Sequence, residues 1–221
     1  RLVVERFDDY RGPLAAIERA SYLTGHRAES RTLQVLSGQT DLVYTLDPSS
    51  LDPLRRSPGV RVDERLIPRT LQIKLNAAHP FLADLRARRA LSLALDRRGL
   101  AARVLRTPGR EAEQLLPPLF EAWHLPEATV PERDLDRARD LVRTLGWAPG
   151  ADGVLVREGR RCELELMTYA DRPELVVLAT AIQAQWRELG VDVTVAVENS
   201  GSIPLGHATG TLETALVARN Y

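Results

Sequence analysis

The chain has one cysteine, one lysine and no long apolar run. Each scarcity excludes something. A single cysteine, Cys162, rules out an internal disulfide and fits either the cytosol or an exported protein that does without cystines. It falls in an alternating segment, so it reads as a small buried hydrophobe rather than a reactive thiol. No stretch approaches the roughly 18 apolar residues of a membrane span. No signal peptide is visible; Arg1-Leu2-Val3-Val4-Glu5 already looks like a strand. The chain stops at Asn220-Tyr221, directly after an apolar run, so both ends are expected to be cuts in a longer protein. Lys74 is the only lysine among thirty basic residues. That excess of arginine looks like codon bias and inflates every apparent arginine site. Thirty acidic residues balance the basic ones, which argues against a nucleic-acid or anionic-membrane partner.

Catalytic motifs are missing too. There is no G-x-S-x-G elbow, no Walker lysine, no dinucleotide fingerprint and no H-E-x-x-H. His26, His79, His124 and His207 are scattered, with no i, i+4 pair and no cysteine partner, so a metal site has no support. Glu163 and Glu165 share a strand's solvent face by period and read as solubilising.

The clearest positive signal spans residues 162–198. Residues 162–169 alternate apolar and polar, the period of a half-buried strand. Asp171 is expected to cap a helix, with Glu174 three residues on and Pro173 in the first turn. Leu175, Leu178, Ile182, Trp186 and Leu189 follow at helical spacing, and Gly190 is a stop. Val191, Val193, Val195 and Val197 then alternate with polar residues. Strand, helix, strand in this form predicts a parallel pair. In open α/β sheets ligands collect outside the carboxyl ends of the strands. Residues 168–172 and 199–202 are therefore the places to look.

Elsewhere the pattern is coarser. Residues 27–46 predict a helix with Leu33 and Leu36 on one face, a stop at Ser37-Gly38, and a strand over 41–46. Residues 47–58 read as a loop with a short helix near 51–55. Residues 59–76 carry apolar runs around Val60-Val62 and Leu71-Ile73-Leu75, split by Pro68, and predict one or two strands crossing between lobes. Residues 83–105 predict two helical pieces capped by Asp84 and Asp96, with an exposed face at Arg86, Arg88, Arg89 and Arg97. Residues 107–131, with five prolines, predict an irregular segment. Residues 135–145 predict a helix closed by Gly146, and 154–156 a hairpin arm. A loop containing Pro204, Gly206 and Gly210 precedes a last strand.

The order of these pieces resembles a known family. Leu36-Ser37-Gly38-Gln39-Thr40-Asp41-Leu42-Val43 resembles the L-x-S-G-E-x-D segment of the family 5 extracytoplasmic solute-binding proteins of ABC importers. Leu75-Asn76, Pro80-Phe81 and the run from Leu85 to Arg97 resemble its N…P-F…R-R-A…D-R signature. Residues 135–147 and 181–193 resemble two further helix motifs. One departure is Arg11-Gly12-Pro13 after Tyr10, where the family usually has Trp-Gly-Gly.

The resemblance implies an α/β, periplasmic-binding-protein-like (class II) lobe with a mixed sheet flanked by helices, a fragment of a two-lobed protein. Residues 1–67 would be part of the first lobe and 68–221 most of the second, with a hinge near 68–75. It implies a peptide or nickel-chelate ligand, an ABC permease as partner, an extracytoplasmic location and no cofactor. The alternative is a cytosolic α/β enzyme fragment with catalytic residues outside this chain. Candidate ligand residues are Thr168, Tyr169 and Arg172 at one strand end, Asn199 and Ser200 at another, and Arg219, Asn220 and Tyr221 at the last. Amides at a helix start favour a carboxylate, and Arg172 is placed either to clamp it or to lie solvated.

Overall fold

Four aspartates start four helices. In the computed structural model, which describes residues 1–25, 27–65, 67–125 and 127–221, Asp47, Asp84, Asp96 and Asp134 each accept a hydrogen bond from an amide of the turn that follows. Each bond satisfies one of the amides that a helix start leaves without an intrahelical partner. The helices are α2 (Pro48–Arg55), α3 (Leu85–Leu93), α4 (Arg97–Gly99), which runs into a π-turn at Leu100–Val104, and α5 (Leu135–Thr144). Before them come strands β1 (Leu2–Glu5) and β2 (Arg19–Tyr22), an antiparallel pair, and helix α1 (Ala28–Leu36).

The main sheet has four strands in the order β3-β9-β7-β8: β3 (Arg69–Leu75), β7 (Glu163–Tyr169), β8 (Asp192–Glu198) and β9 (Thr214–Asn220). β7 runs parallel to β8 and to β9; β3 is antiparallel to β9. The sheet is mixed, as expected. A small antiparallel sheet of β4 (Ala148–Pro149), β5 (Leu155–Arg157) and β6 (Arg160–Arg161) precedes β7 and supplies the expected hairpin arm.

Alternation decides what packs where. Leu164 and Leu166 of β7, Leu216 of β9, and Leu71, Ile73 and Leu75 of β3 face helix α6 (Pro173–Leu189), with α3 and α5 behind it. The predicted apolar face of α6 (Leu175, Leu178, Ile182, Trp186 and Leu189) is buried throughout. Trp186 donates its indole N–H to the Leu91 carbonyl at 3.0 Å and so ties α6 to α3. Phe81 meets Trp147 edge to face at 5.4 Å in the same core. The other side of the sheet carries Met167, Ala215 and Val217, covered by Ile203 and Leu212.

Residues 1–67 contribute only Ala28, Pro48 and Leu54 to the buried apolar side chains, among the described residues. Phe7, Ile17, Leu33, Leu42 and Tyr44 are each about two-thirds or more exposed.

Several expectations are corrected. Residues 41–46 and 60–62 are not strands. Alternation marks a segment able to pair, but a strand exists only where a neighbour takes its backbone hydrogen bonds, and the described residues offer none there. Leu33 and Leu36 share a face, but that face is exposed. Asp171 does not cap α6; Arg172 is the cap residue, without a side-chain cap bond, because Pro173 fixes the first helical position. The loop expected around Pro204 is helix α7 (Ser202–Thr209). Pro204 lies in its first turn, where a missing N–H costs no helical bond. Gly206 lets Leu212 pack against it, and its carbonyl accepts the Leu212 amide at 3.1 Å. The basic face of 86–97 is only partly solvated: Arg88 donates to the Leu82 carbonyl at 2.7 Å, and Arg97 is largely desolvated, donating to the Ser92 carbonyl and hydroxyl.

Candidate functional site

Strand directions bring the carboxyl ends of β7, β8 and β9 and the amino end of β3 to one edge of the main sheet. The edge opens because β7 and β9 part there. Their ladder pairs Leu166 with Thr214 and Met167 with Ala215 and goes no further. Beyond it, side chains replace the backbone bonds. Thr168 donates its hydroxyl to the Leu216 carbonyl at 3.1 Å, and the Tyr169 phenolic oxygen accepts the Ala218 amide at 3.2 Å.

Thr168 is thereby corrected from a candidate ligand donor. It is fully buried with its hydroxyl turned into the sheet. The period explains this: Thr168 shares the α6-facing side with Leu164 and Leu166. Tyr169, on the opposite side, is half-buried and borders open space.

Sequence reasoning missed one residue, Arg69. The register places it opposite Asn220, and its guanidinium donates to the Asn220 side-chain oxygen at 2.7 Å. Burial lowers its pKa, the nearby Arg172 charge lowers it further, and Glu174 and Tyr169 partly offset both. Arg69 thus meets Asn220 across the strand ends, with the charges of Arg172 and Glu174 acting on it in opposite senses. No sequence signal marked Arg69, since its partner lies 151 positions away and arginine is abundant everywhere.

Arg172 is half-buried at the start of α6. Tyr221 is anchored by its amide, which donates to the Pro68 carbonyl at 2.9 Å, and its ring meets Phe120 edge to face at 6.0 Å. Arg219 lies 5.9 Å from the same ring, a cation–π distance. Asn199 is exposed, and its side-chain oxygen accepts the Gly201 amide at 2.9 Å, so it shapes the turn into α7. The structure therefore gathers Tyr169, Ser200 and Arg219 around one cavity, and sets Arg69, Arg172 and Asn220 beside the α6 start.

That cavity is a shallow depression of about 200 Å³, open to solvent and lined by Lys74, Tyr169, Ser200, Ile203, Pro204, Val217, Ala218 and Arg219. A larger open depression of about 540 Å³ lies at Leu93 and residues 131–137. Its polar groups already bond within the fold: Asp134 caps α5, and Arg133 pairs with Glu188.

Among the described residues no three His, Cys, Asp or Glu side chains are grouped to hold a metal. His26 lies outside the described residues. His79 sits 3.8 Å from Glu213, and His124 contacts Gln114. His207 is exposed in the last turn of α7. Burial pushes the Cys162 thiol up to about 12, with the Glu163 charge adding to the effect, so it is a poor nucleophile at neutral pH. The edge offers guanidinium, phenol and amide groups, which is the chemistry of holding an anion.

The family model for bacterial extracellular solute-binding proteins, family 5 Middle, matches residues 1–218. The oligopeptide-binding protein AppA of Bacillus subtilis is 22% identical over 198 residues, covering 88% of this chain and 36% of that protein. The nickel-binding periplasmic protein of Escherichia coli is 23% identical over 206 residues, covering 91% and 39%. In fold, the chain superposes on AppA in complex with a nonapeptide at a TM-score of 0.82, with 20% identity over 99% of this chain and 44% of that one. NikA from Brucella suis, in complex with Fe(III)-EDTA, gives 0.83 with 23% identity over 98% and 44%. The chain thus spans less than half the length of these relatives. The periplasmic-binding-protein fold expected from the sequence is the fold observed, and these comparisons lend no support to the enzyme-fragment alternative.

Proposed function

The chain belongs to the bacterial extracellular solute-binding proteins, family 5, and from that premise we propose that it forms one wall of an interlobe cleft that holds a peptide or a nickel complex. Residues 1–67 would belong to the first lobe and residues 68–221 to the second. Closure of two lobes by hinge bending would present the loaded form to an ABC permease outside the cytoplasm. No helix among the described residues is long and apolar enough to cross a membrane.

One observation carries this reading: at the strand ends Arg69 donates to the Asn220 side chain, and Arg172 opens α6 at the same edge, so guanidinium groups from two elements face one place. A carboxylate arriving there would accept charge-assisted hydrogen bonds from these groups. Peptides and carboxylate chelates of nickel both present such a group. The reading is of binding, with no bond made or broken.

The test is a thermal-shift titration of the intact two-lobed protein that contains this chain, with short peptides and with nickel chelates of amino acids. A true ligand raises Tm progressively with its concentration. Arg172→Met should weaken that response while leaving the unliganded Tm nearly unchanged. A panel with no responder at millimolar concentration would overturn the reading.

A further inference from the structure

The cavity between the sheet and the start of α7 has an unusual lining. It contains Lys74 and Arg219, two hydroxyl-bearing side chains in Tyr169 and Ser200, and no Asp or Glu. Elsewhere in this neutral protein basic side chains commonly meet carboxylates, as Arg103 meets Asp96 and Arg161 meets Asp152. Among the described residues, neither Lys74 nor Arg219 has such a partner. Arg219 meets the Tyr221 ring at a cation–π distance of 5.9 Å. The remaining lining is apolar: Ile203, Pro204, Val217 and Ala218.

Register explains why two cations share the space. Lys74 lies opposite Ala215 and Thr70 opposite Arg219, so both long side chains leave the same side of the sheet from adjacent strands. The volume, about 200 Å³, suits one side chain rather than a whole peptide. The first turn of α7, which has no side-chain cap, adds its positive end at the rim.

Resting on the solute-binding reading above, we infer that this cavity is a side-chain subsite selective for an acidic residue of the bound peptide. The carboxylate lies between Lys74 and Arg219, and the aliphatic stem packs on Val217 and Ile203. Tyr169 and Ser200 supply the remaining polar contacts. By the same register Arg69 and Asn220 leave the opposite side of the sheet, so the two places are separable.

Lys74 provides its own reporter, because it is the sole lysine. Reductive methylation with ¹³C-formaldehyde keeps its charge and labels only Lys74 and the terminal amine. The chain is titrated with Ala-Glu-Ala, Ala-Gln-Ala and inorganic phosphate. The Lys74 methyl resonance should move saturably with Ala-Glu-Ala, with at least about tenfold weaker binding of Ala-Gln-Ala. Arg219→Gln, at an exposed position, should abolish that preference without unfolding the chain. Equal affinity for the two tripeptides would overturn the subsite while leaving the solute-binding reading standing. Phosphate binding as tightly as Ala-Glu-Ala would also overturn it, since the stem would then contribute nothing. A still Lys74 resonance with a tripeptide that nonetheless raises Tm would place the ligand elsewhere and end the inference alone. Silence in both measurements would end the inference, while the solute-binding reading is judged on the intact protein.

Discussion

The phenolic oxygen of Tyr169 accepts the backbone amide of Ala218 at 3.2 Å, one strand away, at the point where the β7–β9 ladder has already stopped. A side chain thus holds two diverging strands at a fixed opening. Tyr169→Phe leaves that amide without a partner and should destabilise the chain by about 1–3 kcal/mol. It should also blur the geometry of the adjacent cavity. Urea denaturation checks the first effect. Loss of binding beyond what the stability change accounts for would show that Tyr169 touches ligand as well as positioning the site.

Thr168 makes the companion bond to the Leu216 carbonyl from a fully buried position. Thr168→Val keeps the shape and removes the hydroxyl. A cost of about 1–3 kcal/mol is expected from the orphaned carbonyl. In a chain of this size that lowers Tm by roughly 2–4 °C per kcal/mol. Ligand affinity measured well below Tm should be unchanged. A large affinity loss with no change in stability would restore Thr168 as a ligand contact.

Gly190 ends α6 at φ 94°, and its carbonyl accepts the Leu155 amide at 2.7 Å. A Cβ there would lie 2.9 Å from the Gly153 carbonyl oxygen and 2.9 Å from Leu155 Cγ. Gly190→Ala therefore combines left-handed strain with a backbone clash and should cost more than about 1 kcal/mol. Gly159→Ala is the control. It shares the positive φ, but a Cβ there meets nothing within 4 Å, so only the strain remains. Comparable chemical-denaturation midpoints for the two variants would contradict the clash.

Trp186→Phe removes the indole N–H that reaches Leu91 and leaves a space in the largest fully buried side-chain position. The expected loss is about 1–3 kcal/mol, read by circular dichroism on heating. Unchanged stability would mean that α6 and α3 are held by packing alone.

The Cys162 thiol, pushed up to about 12 chiefly by burial, should resist thiol reagents at pH 8 and react promptly in denaturant. The sign of its linkage follows. The folded pKa lies above the unfolded one, so this contribution to stability is complete below about 9 and declines as pH rises towards about 12. Equal labelling rates in native and denaturing buffer would refute the burial.

Much of the fold was legible because periodicity and capping are local. The strand at 163–169, the buried face of α6 and the aspartate caps at Asp84 and Asp96 need only their neighbours in sequence. The misreadings share a cause. Residues 41–46 have a strand's alternation and no partner among the described residues, and Pro204 looked like a loop residue but starts a helix. The site was legible as a location, at the strand ends, but not as a set of atoms.

By itself the sequence determined which segments have an apolar face, where helices begin and stop, and that a parallel strand pair exists, because short-range spacing fixes each of these. Only the tertiary structure decided that Thr168 turns inward, that Arg69 joins Asn220 across the sheet, and that Lys74 and Arg219 share one cavity. Those outcomes depend on register between strands far apart in the chain, where a shift of one residue sends every side chain to the opposite face.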